Sequence, residues 1–224
     1  MTQQSNLARF LRAVQSRGLK IDTVYDIGAC NGKWTREMKS DVLANATFCM
    51  FEGNDIYTNI LKSQGHFVHM GVLSNPGREQ VEYYNGGDTG DSYYKESTAH
   101  YDNKKPIVVK CNTLESVIKE NNLPLPNFIK IDTQGSELDV LKGAEEAIKH
   151  ADLVYLECPI IQYNLGAPGI GEYISFMKQR RFVPMHVLEV HRSEEVLLQI
   201  DIMFISENAR DKLYGKNVHI KPFA

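Results

Sequence analysis

The chain has 224 residues, of which 42% are hydrophobic, and a formal net charge of −3. This length favours one large domain over two, since a domain averages roughly 150 residues, and the apolar fraction is ample for a core. The small net charge gives no indication of a nucleic-acid or anionic-membrane partner. No apolar run approaches the roughly 18 residues that a membrane span requires, so we expect none.

The start of the chain and its cysteines favour a cytoplasmic protein. Residues 1–6 lack the basic start and the apolar run of a signal peptide. The four cysteines are widely spaced, and no histidine lies close enough to complete a zinc motif. We therefore expect reduced thiols, no metal site, and a single domain over residues 1–224.

Helices and strands alternate along the first 73 residues. Apolar residues at helical spacing predict an amphipathic helix over 5–17, which Ser5 would cap, within an N-terminal segment of residues 1–20. Further helices are predicted over 34–42 and 56–64, and strands over 21–27, 47–51 and 66–73.

The stretch 74–105 interrupts this alternation. It contains the turn signals Asn75-Pro76-Gly77 and Asn85–Asp91 around one short β-rich run, Val81–Tyr84. A loop of this length inside a compact domain is often functional. We therefore expect an insertion with a hairpin and a lid-like loop.

The alternation returns after residue 105. The pair Asn112 and Glu115 predicts a capped helix through Glu120, and Ser136 with Asp139 forms a second capping pattern, for a helix over 138–148. Another helix is predicted over 173–179, and strands over 107–111, 128–131, 153–156, 182–190 and 197–205. The segment Arg192-Ser193-Glu194-Glu195 joins the last two strands, and it is short enough for an antiparallel pair.

This order of elements predicts an α/β fold with a mostly parallel, doubly wound sheet and one reversed strand at or near its edge. In such sheets ligands bind at the carboxyl ends of the strands. The residues that directly follow each strand are therefore the candidates for a binding site.

A glycine-rich loop, Asp26-Ile27-Gly28-Ala29-Cys30-Asn31-Gly32, follows the first of these strands. Glycines here allow a tight turn that brings backbone N–H groups against a ligand, although a purely structural turn would show the same pattern. Cys30 stands where a dinucleotide loop needs its second glycine, and no phosphate-binding lysine motif is present. NAD, FAD and ATP therefore fit poorly, and a ligand without a pyrophosphate fits better.

The second strand ends in Glu52-Gly53-Asn54. Glu52 follows Asp26 by 26 residues, in the range where an acidic residue binds ribose hydroxyls, although a strand can also end in an ordinary charged residue. Together, the loop and Glu52 indicate an adenosine-containing ligand whose linker is positive. S-adenosylmethionine meets that description.

The segment Ile129–Ala144 closely resembles the signature of FkbM-type methyltransferases, which typically reads K-I-D-V-E-G-x-E-x-x-V-L-x-G-A. Shorter blocks in the same order resemble other parts of the family: Asp26–Trp34, Phe51-Glu52, Val72–Asn75 with Gly77, and Thr113–Glu115. The resemblance covers most of the chain. Two departures are Gln134, where the family usually has Glu, and the pair Cys30-Asn31 in the cofactor loop.

The resemblance implies a Rossmann-like class I methyltransferase with a seven-stranded sheet, S-adenosylmethionine as cofactor and a hydroxyl as the usual acceptor. The expected cofactor-binding residues are Asp26, Gly28, Ala29, Asn31, Gly32, Glu52, Gly53, Asn54, Val72, Leu73, Ser92 and Asp132. Ser92 is included because the inserted loop would cover the cofactor.

Three carboxylates are candidates for catalysis. Asp132 ends the fourth strand of the predicted main sheet and is the first choice for a base or for acceptor positioning, although it could instead orient the turn at Gly135. Glu137 follows, although a carboxylate in the first turn of a helix also interacts with the helix dipole. Glu157 ends the next strand and could contact acceptor or cofactor.

Three functions remain open on the sequence alone. The first is O-methylation of a hydroxyl on a small molecule, sugar or glycan. The second is nucleic-acid methylation, which the net charge of −3 and the single tryptophan disfavour, so we expect no nucleic-acid partner. The third is a non-catalytic module that only binds S-adenosylmethionine, which Gln134 keeps open. The sequence leaves the oligomeric state undetermined.

Overall fold

The computed structural model describes residues 5–86, 90–99 and 101–215. The strands are β1 (Thr23–Ile27), β2 (Thr47–Glu52), β3 (Phe67–Met70), β4 (Val72–Leu73), β5 (Gln80–Tyr83), β6 (Ile107–Asn112), β7 (Phe128–Ile131), β8 (Leu153–Pro159), β9 (Phe182–Ser193) and β10 (Val196–Ser206). The helices are α1 (Asn6–Ser16), α2 (Lys33–Asp41), a 3₁₀ turn (Asp55–Tyr57), α3 (Thr58–Lys62), α4 (Leu114–Asn121), α5 (Glu137–Lys142), α6 (Glu145–His150), α7 (Ile170–Gln179) and α8 (Glu207–Tyr214).

Seven strands form the main sheet in the order β3-β2-β1-β7-β8-β10-β9. Strand β10 runs antiparallel to both of its neighbours, and the other pairs are parallel. The first strand, β1, lies in the middle of the sheet. Strands β2 and β3 follow on one side of it, and β7 and the later strands lie on the other side. The carboxyl ends of β1 and β7 therefore form the switch point where ligands bind. The expected doubly wound α/β sheet with one reversed strand next to its edge is confirmed.

Helices cover both faces of the sheet. Ser5 caps α1 as expected, since its Oγ accepts a hydrogen bond from Ala8 N at 3.2 Å. The apolar stripe of α1 packs with Met38 of α2 on one face of the sheet. Apolar residues of α4 to α7 pack on the opposite face. Among the helices that the structure describes, none is long and apolar enough to cross a membrane.

The predicted strand 66–73 is in fact two strands. Strand β3 joins the main sheet, whereas β4 pairs in parallel with β6 in a second, three-stranded sheet of order β4-β6-β5. Strand β5 of the insertion pairs antiparallel with β6, which follows the insertion. The expected hairpin is therefore closed by the long loop between β5 and β6. Residues 87–89 and 100 of that loop lie outside the described residues.

Two predicted caps differ from the structure. Asn112 stays in β6, paired with Leu73, and Thr113 caps α4 instead, accepting a hydrogen bond from Ser116 N at 3.1 Å. Ser136 precedes α5 but makes no capping hydrogen bond, because its Oγ donates to Thr133 O.

The helix predicted over 138–148 is split into α5 and α6 at Gly143. A Cβ on this glycine would lie 2.4 Å from Ser74 O, so the chain approaches the backbone after β4 closely. The carbonyl of Gly143 accepts a hydrogen bond from Glu115 N instead of continuing the helix. Helix α8 has no counterpart among the sequence predictions.

Candidate active site

The glycine-rich loop after β1 is held tightly against the ends of β2 and β7. Gly28 has a φ of +76°, and a Cβ there would lie 1.8 Å from Asp132 O, so only glycine fits. The N–H groups of Gly28 and Ala29 both donate to Phe51 O, at 2.9 and 3.1 Å. The expectation that these N–H groups face a ligand is therefore wrong, because both already donate hydrogen bonds to β2.

The remainder of this loop leads into α2. Asn31 Oδ1 accepts a hydrogen bond from Lys33 N at 2.9 Å. Gly32, with a φ of +72°, donates its N–H to Ala29 O at 2.7 Å. Ala29, Asn31 and Gly32 therefore shape the loop without lining the cavity described below.

A buried ion pair stabilises the same loop. Asp26 is fully buried and accepts a hydrogen bond from Thr35 Oγ1 at 2.7 Å, and Lys130 Nζ lies 3.2 Å from its other oxygen. Lys130 also donates to Gly28 O at 3.0 Å and lies 3.4 Å from Asp132 Oδ2. Burial alone would lower the pKa of Lys130, but Asp26 and Asp132 outweigh it and raise that pKa, so the lysine stays charged.

Glu52 is oriented by two backbone N–H groups. Its oxygens accept hydrogen bonds from Cys30 N at 2.7 Å and Asn54 N at 2.8 Å, and the residue is 8% exposed. Burial raises the pKa of this carboxyl, whereas the two N–H groups and Lys130 oppose the rise. Each oxygen keeps a second lone pair, so the carboxylate can still accept hydrogen bonds from a ligand.

A cavity opens at the carboxyl ends of β1, β2 and β7. Seven of the predicted cofactor residues line it: Gly28, Glu52, Gly53, Val72, Leu73, Ser92 and Asp132. Asp26, Ala29, Asn31, Gly32 and Asn54 do not. Additional lining residues include Asp91 and Tyr93 of the insertion, together with Tyr57, Tyr83 and Thr133, which the sequence did not single out.

The insertion contributes one wall of this cavity through Asp91, Ser92 and Tyr93. Asn54 Nδ2 donates to Asp91 Oδ2 at 2.6 Å, which ties the loop after β2 to the insertion. Asn54 thus positions the lid-like segment rather than lining the cavity itself.

A second anchor holds the insertion to α5. Asp139 forms an ion pair with Arg78 at 2.9 Å and accepts a hydrogen bond from Tyr94 Oη at 2.9 Å. The Arg78 guanidinium also stacks over the Tyr93 ring, 5.3 Å from its centroid. Cation–π contact and ion pairing together fix Tyr93 at the cavity wall.

Gln134 bridges two of the candidate catalytic carboxylates. Its Nε2 donates to Asp132 Oδ1 at 3.0 Å and to Glu157 Oε2 at 3.1 Å. The residue has a φ of +54°, a conformation that turns its side chain back between the two strand ends. Burial, followed by repulsion from Asp132 and Asp201, raises the pKa of Glu157 well above its ordinary value.

Glu137 lies apart from the cavity that Asp132 lines. It is 1% exposed and accepts hydrogen bonds from Thr133 N at 2.8 Å, from Gly135 N at 3.0 Å and from Tyr173 Oη. Burial raises its pKa. The two backbone contacts hold the turn 133–136 in place and the Tyr173 contact joins Glu137 to α7, so Glu137 is built into the scaffold of the site.

A second, smaller cavity adjoins the first and shares Gln134 with it. Its wall consists of Gln134, Gly135, Glu137, Glu157, Pro159, Gln162, Tyr163, Asn164, Ala167 and Gln199. Gln134 therefore stands between the cavity that carries the predicted ribose carboxylate and a separate polar cavity, which Glu157 lines.

The family follows from comparison of the sequence with known domains. The profile described as the methyltransferase FkbM domain matches residues 26–184. The chain belongs to the FkbM methyltransferase family. Among curated proteins, none matches this chain significantly.

Solved methyltransferase structures share the fold of this FkbM-family protein. Magnesium protoporphyrin IX methyltransferase (ChlM) from Synechocystis PCC 6803, crystallised with bound SAM, has 6% identity and a TM-score of 0.51, over 90% of this chain and 77% of that one. An O-methyltransferase from Bacillus cereus in complex with SAH has 12% identity and a TM-score of 0.50, over 91% and 82%. The expected Rossmann-like class I methyltransferase fold is confirmed.

A solved protein that carries the name methyltransferase FkbM is longer than the present chain. Methyltransferase FkbM from Methylobacillus flagellatus KT has 17% identity and a TM-score of 0.49, over 84% of this chain and 46% of that one. The present chain therefore spans about half the length of that protein.

Several site residues carried no readable signal in the sequence. Tyr57 and Tyr83 stand in short elements with ordinary composition, and only the fold brings them to the cavity. Gln134 departs from the family signature, but its bridging position depends on the φ of +54°. A polar residue directly before a glycine, in the turn after a buried strand, was the available signal.

Proposed function

We propose that this family member uses S-adenosylmethionine as methyl donor and methylates a hydroxyl of a small molecule, sugar or glycan. One observation carries the proposal. The cavity that holds the oriented Glu52 carboxylate also holds Asp132, and it shares Gln134 with the adjoining cavity that Glu157 lines. The proposed ribose carboxylate and one candidate base thus line the same cavity, and the second candidate base lines the adjoining one.

The cofactor would lie in the first cavity. Glu52 would accept hydrogen bonds from the two ribose hydroxyls, for which a carboxylate has the lone pairs and the charge. Val72 and Leu73 would contact the adenine, and Ser92 would approach from the lid. Asp26, Ala29, Asn31 and Gly32 would act indirectly, by shaping the loop that Gly28 presses against β7.

The second cavity is small, with room for about one water-sized group, and its wall is largely polar. Amide and phenol donors of this wall each already make one hydrogen bond: Gln162 Nε2 to Ala167 O at 2.9 Å, Asn164 Nδ2 to Tyr94 O at 3.0 Å, and Tyr163 Oη to Gln199 Oε1 at 2.6 Å. Among the described residues, no group donates to the amide side-chain oxygens of Gln134, Gln162 and Asn164. A hydroxyl group of the acceptor would supply a donor to these oxygens.

Methyl transfer itself is an in-line displacement. The acceptor oxygen would bond to the methyl carbon while the carbon–sulfur bond breaks, which leaves S-adenosylhomocysteine. The hydroxyl proton would pass to Asp132, or to Glu157 if the acceptor enters from the second cavity. Alignment supplies much of the acceleration, and a base adds roughly 100-fold to 10,000-fold. Glu137 would contribute only by holding the turn 133–136.

A product screen tests the proposal. The protein would be incubated with methyl-labelled S-adenosylmethionine and with panels of sugars, glycans, hydroxylated small molecules, RNA and DNA, and products would be scored by mass. A methyl group on a hydroxyl of a non-nucleic-acid acceptor supports the proposal. Methylation confined to nucleic acid would establish the second function instead. Cofactor binding with no turnover on any panel would favour the non-catalytic module.

A further inference from the structure

Three potential metal ligands meet on the hairpin of β9 and β10. Glu189 and His191 lie on β9, and Asp201 of β10 is paired with Glu189. His191 Nε2 is 3.3 Å from Asp201 Oδ1 and 3.9 Å from Glu189 Oε2, and all three ligand atoms lie within 4.8 Å of one another. Zinc-class ions bind nitrogen and oxygen at about 2.1 Å, so tetrahedral ligands lie about 3.4 Å apart.

Hydrogen bonds from neighbouring side chains orient Asp201 as a ligand. It is 2% exposed, and its Oδ2 accepts a hydrogen bond from Tyr155 Oη at 2.7 Å while Gln199 Nε2 donates to Oδ1 at 3.1 Å. Such bonds fix a ligating carboxylate in one orientation. The free lone pair on Oδ1 faces His191 Nε2.

The charges of the cluster also favour a bound cation. Two carboxylates meet one imidazole, and within the described part of the chain no lysine or arginine forms an ion pair with Asp201. Apart from His191, Asp201 is buried without a cationic partner, which is costly, and a bound divalent ion would reduce that cost. An imidazole ligand favours a zinc-class ion over magnesium or calcium, which select oxygen ligands.

We propose that Glu189, His191 and Asp201 bind one divalent transition-metal ion of the zinc class. The side chains of Glu189 and His191 are 63% and 44% exposed, so solvent can reach the ion and complete its coordination. The site is separate from the proposed cofactor cavity. It fixes the β9–β10 hairpin, and through Gln199 it adjoins the wall of the second cavity.

Cobalt(II) is the probe, because its visible absorption reports both binding and ligand type. Tag-free protein, stripped with a chelator, would be titrated with Co²⁺ and checked by calorimetry with Zn²⁺. We expect one ion per chain with nitrogen and oxygen ligands, and a higher melting temperature with the ion. His191→Asn and Glu189→Gln should each weaken binding more than about tenfold, and Tyr155→Phe by about tenfold.

Matched controls separate this site from adventitious binding. Glu195→Gln removes a carboxylate from the same hairpin, and His66→Asn removes an imidazole at the opposite edge of the sheet; neither should alter the affinity. The absence of binding would overturn the proposal. So would a thiolate charge-transfer band that His191→Asn leaves unchanged, since the ion would then be on Cys30 or Cys111. Because binding is read without turnover, the result does not depend on the proposed methylation.

Discussion

Gly28 and Asp132 lie backbone against backbone: a Cβ on Gly28 would stand 1.8 Å from the Asp132 carbonyl oxygen. A hydrogen bond from Asp132 N to Ile27 O, at 3.0 Å, runs beside this contact. The ends of β1 and β7 are thereby held at a fixed distance. The loop that shapes the cofactor cavity and the first-choice base therefore belong to one rigid unit.

Replacing Gly28 with alanine should damage this unit. The new Cβ would overlap the Asp132 carbonyl, and the φ of +76° would add strain. We expect Gly28→Ala to lower the free energy of unfolding by about 3 kcal/mol or more in urea denaturation. Gly166→Ala is the control, because Gly166 has a φ of +79° but nothing within 4 Å of its Cβ position. Equal losses in the two variants would show that strain, and not the contact, matters.

Sequence patterns located the strand ends but not the contacts between them. Glu52 and Asp132 were identified because a residue that ends a buried parallel strand points into the cleft, whatever packs around it. Gln134 could not be placed, because its bridge requires a positive φ that side chains other than glycine rarely adopt.

The second sheet and the helix break at Gly143 have the same origin. The run 66–73 reads as one strand because apolar and β-branched residues stand on both sides of Gly71. Pairing with β6, 39 residues further along, decides where β4 belongs. Gly143 likewise breaks a helix only because Ser74 and Glu115 approach it. Long-range contacts of this kind leave no periodic trace in the sequence.

Glu52→Ala should weaken cofactor binding while the fold survives. Loss of two hydrogen bonds to a charged acceptor predicts a dissociation constant for S-adenosylmethionine higher by roughly 10-fold to 100-fold, measured by calorimetry. Glu82→Ala, at an exposed position of β5, should leave the affinity unchanged. Unaltered affinity in a Glu52→Ala protein with native-like circular dichroism would remove Glu52 from the ribose site.

Glu137 should make stability depend on pH. Burial raises its pKa in the folded protein above the unfolded value, so its contribution is complete below about pH 4 and is lost as pH rises through the folded pKa. Glu137→Gln keeps the shape and the acceptor for Thr133 N without the charge. The variant should therefore gain stability relative to wild type between acid and neutral pH, by about 1.4 kcal/mol per unit of raised pKa.

Urea denaturation at several pH values measures this gain. Glu146→Gln is the matched control, because its side chain is 57% exposed and should show no such trend. A Glu137→Gln difference that stays constant, or that shrinks towards neutral pH, would mean that the three hydrogen bonds stabilise the ionised carboxylate more than burial destabilises it.

Asp132→Asn and Glu157→Gln together identify the base. If Asp132 takes the acceptor proton, Asp132→Asn should lower kcat by about 100-fold to 10,000-fold, a larger factor than any change in cofactor affinity. Glu157→Gln should then act mainly on the acceptor KM, because Glu157 lines the second cavity. The reverse pattern would make Glu157 the base. Asp22→Asn, at an exposed site before β1, controls for the loss of one charge. Wild-type turnover in both active-site variants would show that alignment alone drives the transfer.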